Sequence, residues 1–447
     1  MIHLSRFHPL LGVMAFLGAL LPSAARATDL GHAPGTPLAA DASGLRFVFS
    51  DSTLTLAIVE SLAVARNPGM QGAQADEREA GAAIDAAGAW PQPMTELMAA
   101  PRSWGSQVGA SYRVQVEQPL PWFGPRTARQ AAARADARAM TSEARAKRLD
   151  VLRDLRNAYA ELWAATRING VTRDLAAVLD AVRRSALTRY GSGLAEAQEP
   201  LMAQTEVAML EHERIITLRR IRVAQIQLLT LMHLPLTTPL PSPPAVLHDA
   251  LRPDADYDYP FDNPSGDAAP EEASARARVT AREADVTAAR RMGRPMLTVG
   301  AAYDRFMDES ERRPAVILST SLPIWRGGVR ADAAMAQARL DRARFDLDAL
   351  RDRLAFEIDE ARTRLDTASH DLVQLDTGVL PLSERANRAA VRSYEAGRGE
   401  FSMVIESART LLRARVQRIE AERMARMAHA DLHRIWAADS GAEEIER

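Results

Sequence analysis

The amino-acid sequence predicts a mainly α-helical protein with a small β contribution, built from one structural unit that occurs twice. Three observations support this fold class: motifs recur in the same order at a nearly constant spacing, apolar residues follow a helical period over very long stretches, and short segments of alternating polarity precede each long helix. Each unit contains a helix, two short strands, a very long helix, a turn and a returning helix.

The duplication is visible in four matched features of the chain. Pro93-Met94 matches Pro295-Met296 and Pro121 matches Pro323 at an offset of 202, while Tyr190-x-x-Gly193 matches Tyr394-x-x-Gly397 and Glu196 matches Glu400 at an offset of 204. Matches in one order at almost one offset are not expected by chance. We therefore place the first repeat at residues 52–233 and the second at residues 270–438.

The remaining segments flank or connect these repeats. Arg6 precedes an apolar run and Ala25-Arg26-Ala27 follows it, which predicts a Sec-type signal peptide over residues 1–27 and export from the cytoplasm. Residues 28–51 form an N-terminal extension, and residues 439–447 form a C-terminal tail. Residues 234–269 are rich in proline and aspartate, which predicts a linker or a lateral, equatorial segment between the repeats.

The short strands and the opening helices come first in each unit. A helix is expected from Leu54 to Ala89, with strands at residues 94–99 and 108–120 in the first unit and at residues 296–306 and 315–322 in the second. From Val108 to Glu117, apolar and polar residues alternate, as in a half-buried strand or the wall of a barrel. An ordinary surface hairpin has the same period, so the pattern alone leaves both alternatives open.

The long helices are predicted at residues 125–190 and 329–395. Pro125 suits a first helical turn, where the missing N–H is not needed. In the second helix, apolar residues recur at alternating steps of three and four, which predicts one coiled-coil seam that continues through Leu375 to Val379 and Leu382. Pro381 lies inside this helix and predicts a kink.

Composition excludes several classes of protein. The chain has 447 residues, no cysteine, 56 Lys+Arg and 58 Asp+Glu. Disulfides and thiolate metal sites are therefore impossible, and the balanced charge argues against a nucleic-acid-binding protein. Because the sequence contains no nucleophile elbow, P-loop, His-Glu-x-x-His or Rossmann motif, we predict neither an enzyme nor a cofactor.

The order of elements, the Pro-Trp-Phe-Gly junction and the Tyr-x-x-Gly turns resemble the TolC-type outer-membrane efflux protein family over nearly the whole chain after the signal peptide. The segment Gln118–Gly124 is most similar to the branch that serves heavy-metal exporters of the CzcC and CusC kind. The resemblance implies a homotrimer in outer-membrane lipid. Its three chains would supply twelve strands to a closed β-barrel that continues into an α-helical coiled-coil tube in the periplasm.

The resemblance also implies a function and its partners. The tube would be the exit duct of a tripartite efflux system that receives cargo, here heavy-metal cations, from an inner-membrane pump of the RND type through a periplasmic adaptor, a membrane fusion protein. Multidrug efflux and type I secretion are alternatives within the family. A periplasmic coiled-coil adaptor or a structural protein is the alternative of another class, although neither explains the duplicated strands.

The resemblance assigns candidate residues to two places. The periplasmic tip, where the tube closes and meets the adaptor, comprises Tyr190, Gly193, Glu196, Glu199, Tyr394, Gly397 and Glu400. The strand-to-helix junctions comprise Pro121, Trp122 and Gly124 in the first unit and Pro323, Trp325 and Gly327 in the second. Threefold symmetry would turn each tip glutamate into a carboxylate ring that attracts cations, whereas glutamates near a helix start are also ordinary solvated charges.

One further pair has metal-ligand spacing. His429 and His433 are four residues apart on a predicted helix, so both can face one metal ion. No third ligand is evident in the sequence, and two surface or packing histidines are the favoured explanation of the spacing. We therefore predict no metal site.

Overall fold

The structure is a computed structural model that describes residues 53–100, 111–120, 124–193, 195–246, 269–306, 313–321, 324 and 326–436. These residues lie in one compact unit, Asp51–Arg447. The predicted signal peptide, the N-terminal extension, the C-terminal tail and most of the segment 234–269 lie outside the described residues.

The described elements follow the same order twice. The first half contains α1 (Leu56–Arg66), α2 (Pro68–Gly88), β1 (Met94–Ala100), β2 (Ser111–Leu120), α3 (Pro125–Gly191) and α4 (Gln198–Leu231). The second half contains α5 (Pro270–Met292), β3 (Met296–Asp304), β4 (Pro314–Ser321), α6 (Arg326–Gln374), a π-helical segment (Leu375–Val379), α7 (Leu380–Glu395) and α8 (Phe401–Trp436). The 67 residues of α3 span about 100 Å at 1.5 Å per residue.

The opening helix of the first unit is divided in two, so the prediction of a single helix from Leu54 to Ala89 was wrong. Pro68 cannot donate a backbone hydrogen bond and holds the preceding Asn67 in an extended conformation, with ψ at 120°. The Asn67 side chain then accepts hydrogen bonds from the backbone N–H groups of Gly69 and Met70, at 2.9 and 3.3 Å. It thereby caps the start of α2.

The four strands form one antiparallel sheet in the order β1-β2-β3-β4. The central pair β2–β3 joins the two halves of the chain, with Val114 opposite Tyr303 and Val116 opposite Ala301. The strands occur where the sequence places them, but β3 ends at Asp304 rather than at Phe306. There the Phe306 N–H donates to the Asp304 carboxylate at 2.8 Å, which starts a turn.

The helices that adjoin the sheet repeat the order of its strands. Helices α2, α3, α5 and α6 lie side by side in that order, and they are connected to β1, β2, β3 and β4 respectively. Toward the far ends of α3 and α7 the layer changes: α4 packs on α3, and α8 packs against α3, α6 and α7. In this part of the described chain, α4 therefore lies on one side of α3, and α8 lies between α3 and the pair α6 and α7.

A π-helical segment interrupts the coiled-coil seam of the second long helix. Its last hydrogen bond joins the Leu380 N–H to the Leu375 carbonyl, five residues back, just before Pro381. Because a π turn holds an extra residue, the residues beyond it are rotated around the helix axis. Ser383 is buried, whereas Val379 and Leu382 are 43% and 60% exposed. Within the single chain, the predicted seam therefore does not continue through Val379 and Leu382.

Within the described parts of the chain, no helix combines the length and the hydrophobicity needed to cross a membrane.

Candidate functional site: the paired helical turns and the amphipathic sheet

The turns between α3 and α4 and between α7 and α8 have the same backbone geometry. Gly193 and Gly397 adopt φ of 72° and 73°, the left-handed conformation that favours glycine. The N–H of each glycine donates to the carbonyl of the tyrosine three residues earlier, from Gly193 to Tyr190 at 3.0 Å and from Gly397 to Tyr394 at 2.9 Å. The repeated Tyr-x-x-Gly motif therefore encodes the same helix-ending turn twice.

Tyr394 connects the second turn to the first. Its hydroxyl donates to the Glu199 carboxylate at 2.7 Å, and its ring meets the ring of Phe401 edge-on, with 5.3 Å between centroids. The Arg189 guanidinium donates to the Tyr394 carbonyl at 2.7 Å and lies 4.6 Å from the centre of the tyrosine ring. These contacts hold the two turns side by side, and we refer to residues 189–199 and 393–403 together as the tip.

The environment of Tyr394 keeps its phenol protonated. Burial, together with the hydrogen bond to the Glu199 carboxylate, raises the pKa of Tyr394 to about 12 against the opposing charge of Arg189. The hydroxyl is therefore a donor at any physiological pH, and the Glu199 carboxylate is its acceptor.

A second polar contact joins α4 to α8 a little farther from the turns. Arg409 on α8 donates to the Glu206 carboxylate on α4, with Nε–Oε2 at 2.9 Å. Glu206 is only 5% exposed, and its carboxylate raises the pKa of Arg409. Sequence reasoning missed this pair and Arg189. These residues carry no motif and meet only because α4 and α8 converge here.

The remaining predicted tip residues face away from these contacts. Tyr190 is 50% exposed. Glu196 and Glu400 are also exposed, and each carbonyl accepts a hydrogen bond from the N–H three residues later, at 3.2 Å. Beside them an open groove of about 490 Å³ runs between the starts of α4 and α8, with Leu201 and Met403 among its lining residues.

Only two of the predicted junction residues are described. Gly124 precedes α3 with φ at 91°, and a side chain there would approach the Arg291 guanidinium to 2.9 Å. Gly327 lies inside the first turn of α6, with open space around it. The structure therefore requires glycine at the first junction only. Pro121, Trp122, Pro323 and Trp325 lie outside the described residues.

The sheet has one apolar and one polar face, since directly paired residues of antiparallel strands share a face. The apolar face carries Leu97, Val114, Val116, Tyr303, Val316 and Leu318; the polar face carries Glu96, Arg113, Gln115, Glu117, Asp304 and Ser319. Leu97, Val316 and Leu318 are 69%, 84% and 70% exposed in the single chain. On the polar face, Arg113 donates from Nε to the Asp304 carboxylate at 2.9 Å.

The two histidines of α8 are placed for packing between helices. His429 is 2% exposed, and burial lowers its pKa to about 4, helped by the nearby charge of Arg426. Burial likewise lowers the pKa of His433 to about 4, with a contribution from Arg156. Across the described ranges, no three His, Asp or Glu side chains group closely enough to hold a metal ion.

Comparison with known proteins finds one matching family and several similar folds. Residues 59–232 match the model of the outer membrane efflux protein family. The fold resembles the outer-membrane channel OprN (18% identity, TM-score 0.73, covering 88% of this chain and 91% of that one) and the outer membrane protein VceC from Vibrio cholerae (18%, 0.68, 85% and 95%). It also resembles CusC (16%, 0.71, 85% and 91%). No curated protein matches the sequence.

These findings confirm the predicted resemblance to the TolC-type outer membrane efflux protein family, whose model matches residues 59–232. That family consists of passive channels and not of enzymes. Channels of this family form trimers and work with adaptor and inner-membrane pump partners.

Proposed function

We propose that the chain is the outer-membrane exit duct of a tripartite efflux system. Three copies enclose one channel, with twelve strands in the outer membrane and a helical tube in the periplasm. The duct passively carries cargo that an inner-membrane pump of the RND type delivers through a periplasmic adaptor. The observation that carries this proposal is the amphipathic four-stranded sheet, which adjoins a layer of four helices in the same lateral order.

The sheet suits a barrel wall better than the surface hairpin that its period also allows. Its apolar face is wide and exposed in the single chain, as a lipid-facing wall requires. Its opposite face carries charged and polar side chains that suit a water-filled interior. Four strands cannot close by themselves, whereas twelve strands from three copies can enclose a lumen and remove the exposed edges.

The helical layer also leaves two apolar edges exposed, which supports assembly with further copies. On α4, at one edge, Leu201, Met209 and Val223 are 62%, 57% and 55% exposed. On α6 and α7, at the other edge, Val373 and Leu382 are 58% and 60% exposed. A large apolar surface on both edges of one layer is expected where copies meet side by side. A monomeric mass in mild detergent, with full helicity, would contradict the trimer.

Heavy-metal cations are the cargo that we propose. The exposed Glu196 and Glu400 would form two carboxylate rings around a threefold axis, which raises the local concentration of cations. The polar face of the sheet adds Glu96 and Glu117. Replacing Glu196 and Glu400 by glutamine is expected to lower the cation selectivity of single channels. Glu211→Gln, a matched change on an exposed part of α4 paired with Arg214, is expected to leave selectivity unchanged.

The cargo is tested most directly in cells. A deletion strain should become sensitive to divalent metals, copper or silver and recover when the gene is restored. Sensitivity confined to dyes and antibiotics would retain the duct, replace metal cargo with organic compounds and leave the glutamate rings as solvated surface charges.

Cell fractionation separates the duct from the alternative class of protein. Residence in the outer membrane, with gel mobility that changes on heating, is expected of a β-barrel channel. A soluble periplasmic pool with no outer-membrane fraction would favour a coiled-coil adaptor or a structural protein.

A further inference from the structure

The segments that join the helices to the sheet have an unusual charge. They are residues 86–95, 118–135, 286–303 and 314–331. Together they contain eight arginines, no lysine and no acidic residue, whereas 58 of the 447 residues of the whole chain are Asp or Glu. Three of the six tryptophans, Trp90, Trp122 and Trp325, also lie in these segments. Arginine and tryptophan are therefore concentrated at one level of the fold, where each strand meets its helix.

Four of these arginines are exposed at the end of α5 and the start of α6, and we call them the basic collar. They are Arg290, Arg294, Arg326 and Arg330. The two helix ends are close neighbours, because a β-carbon on Gly293 would lie 2.8 Å from a methyl carbon of Val329. Among the residues that the structure describes, Arg290, Arg326 and Arg330 have no partner in an ion pair or a side-chain hydrogen bond. Their charge is therefore not neutralised by the chain.

Arginines on the other side of the same helices do have carboxylate partners. An open concavity of about 1330 Å³ runs along α2, α3, α5 and α6. Two of its lining residues are Arg278, which forms an ion pair with Glu143, and Arg282, which pairs with Asp285 at 2.6 Å. The unpaired collar thus contrasts with the paired arginines along the concave side.

The collar lies off the concave side of its helices. On α6, Arg339 lines the concavity, and Arg330 is nine residues earlier, about 180° around the helix axis. On α5, Arg278 and Arg282 define the concave direction, and Arg290 is about 100° away from it. A closed ring of helices encloses its concave side. In the duct proposed above, the collar therefore faces outward rather than into the lumen.

Apolar and aromatic side chains place the collar next to the lipid-facing wall of that duct. On β4, Val316 and Leu318 are 84% and 70% exposed, and Ile324, between β4 and α6, is 73% exposed. Trp90 is 57% exposed, and the Arg126 guanidinium lies 4.9 Å from the centre of its ring. Tryptophan is enriched where a membrane meets water, since its ring is apolar and its N–H is polar. The collar is therefore at headgroup level.

We propose that the basic collar binds anionic phospholipid headgroups in the leaflet that faces the periplasm. This inference rests on the proposed duct, which sets the apolar face of the sheet in a bilayer. A guanidinium group binds phosphate oxygens through two parallel hydrogen bonds, and it is less strongly hydrated than an ammonium group. Three copies present the collar as one ring around the duct, which fixes the height of the channel in the membrane.

Brominated lipids test the proposal with the full-length protein in phosphatidylcholine vesicles. Quenching of tryptophan fluorescence reports the association constants of brominated phosphatidylglycerol and brominated phosphatidylcholine. A basic residue near an anionic membrane surface contributes a factor of about five. We therefore expect the parent to prefer the phosphatidylglycerol by about fivefold or more. The preference should decrease when salt is raised from about 0.1 M to about 1 M, because screening shortens the range of the charges.

Two matched sets of substitutions assign the preference to the collar. Arg290→Gln, Arg326→Gln and Arg330→Gln together should bring the ratio of association constants to about one. The control removes the same charge from exposed positions on α4, α7 and α8, with Arg219→Gln, Arg388→Gln and Arg413→Gln. It should keep the parent ratio. Trimer content on gels shows that both variants assemble.

The outcomes separate the collar from the duct. If the collar variant keeps the parent lipid ratio, or if the control lowers the ratio equally, the duct remains and the lipid site is rejected. A changed ion selectivity of single channels with an unchanged lipid ratio would place the collar in the lumen and likewise reject the proposal. If neither lipid quenches the parent and the parent forms no conducting pore, the proposed duct fails and the collar fails with it.

Discussion

Burial of His429 should make the protein lose stability as the pH falls below neutrality. The pKa of His429 is lowered from 6.5 to about 4, mainly because the folded chain excludes water from the imidazole. A tenfold change in proton affinity corresponds to about 1.4 kcal/mol, so His429 alone changes the free energy of unfolding by about 3 kcal/mol between pH 6.5 and about 4. Arg426, 4% exposed and nearby, disfavours the protonated form further.

The sign of this pH dependence follows from which state of the chain, folded or unfolded, binds the proton more tightly. Above pH 6.5 the imidazole is neutral in both states, and the folded state keeps its full stability. As the pH falls from 6.5 toward about 4, the unfolded chain takes up a proton that the folded chain does not, so the free energy of unfolding decreases. Below about 4 both states are protonated and this site causes no further loss.

The assay is a series of urea titrations followed by circular dichroism of the helices across this pH range. His429→Gln, whose side chain does not titrate, should show a smaller decrease in unfolding free energy than the parent, by about 3 kcal/mol at most. His212→Gln, at an exposed position on α4, serves as the matched control and should follow the parent curve. Parallel curves for the parent and His429→Gln across the window would refute the reasoning.

Three further predictions concern stability and assembly. The side chain of Arg434 is 10% exposed and forms ion pairs with Asp150, Glu271 and Glu357, which lie on three different helices. Arg434→Ala leaves these carboxylates without their shared cation and should lower the free energy of unfolding, measured by thermal unfolding, by about 3 kcal/mol. Arg342→Ala, at a side chain 83% exposed, should lower it by less than about 1 kcal/mol. His233→Gly should raise the melting temperature through a gain of about 1 kcal/mol, since His233 adopts φ of 51° after α4; a lower melting temperature would contradict this. Replacing both Val379 and Leu382 by glutamate should dissociate the trimer in sedimentation experiments and leave the circular dichroism spectrum unchanged. An intact trimer would show that this edge of the helical layer faces solvent.

Local signals in the sequence determined the elements of this protein. Pro125 and the helical period predicted α3 at residues 125–190, and the structure has Pro125–Gly191. Alternating polarity located the strands to within a few residues. The glycines of the two Tyr-x-x-Gly motifs predicted tight turns, and both adopt positive φ. Each of these features depends on a few neighbouring residues, so the order of residues alone is sufficient to specify it.

Tertiary structure decided what depends on residues distant in the chain. The π-helical segment before Pro381 rotates the rest of the helix, so Ser383 rather than Leu382 meets the core. No local pattern showed this, because the apolar spacing continues through the segment. Likewise Glu199 and Tyr394 are 195 residues apart, and Glu206 and Arg409 are 203 apart. Their pairing exists only because packing brings the two hairpins together, whereas an identical turn motif leaves Tyr190 exposed on the other side.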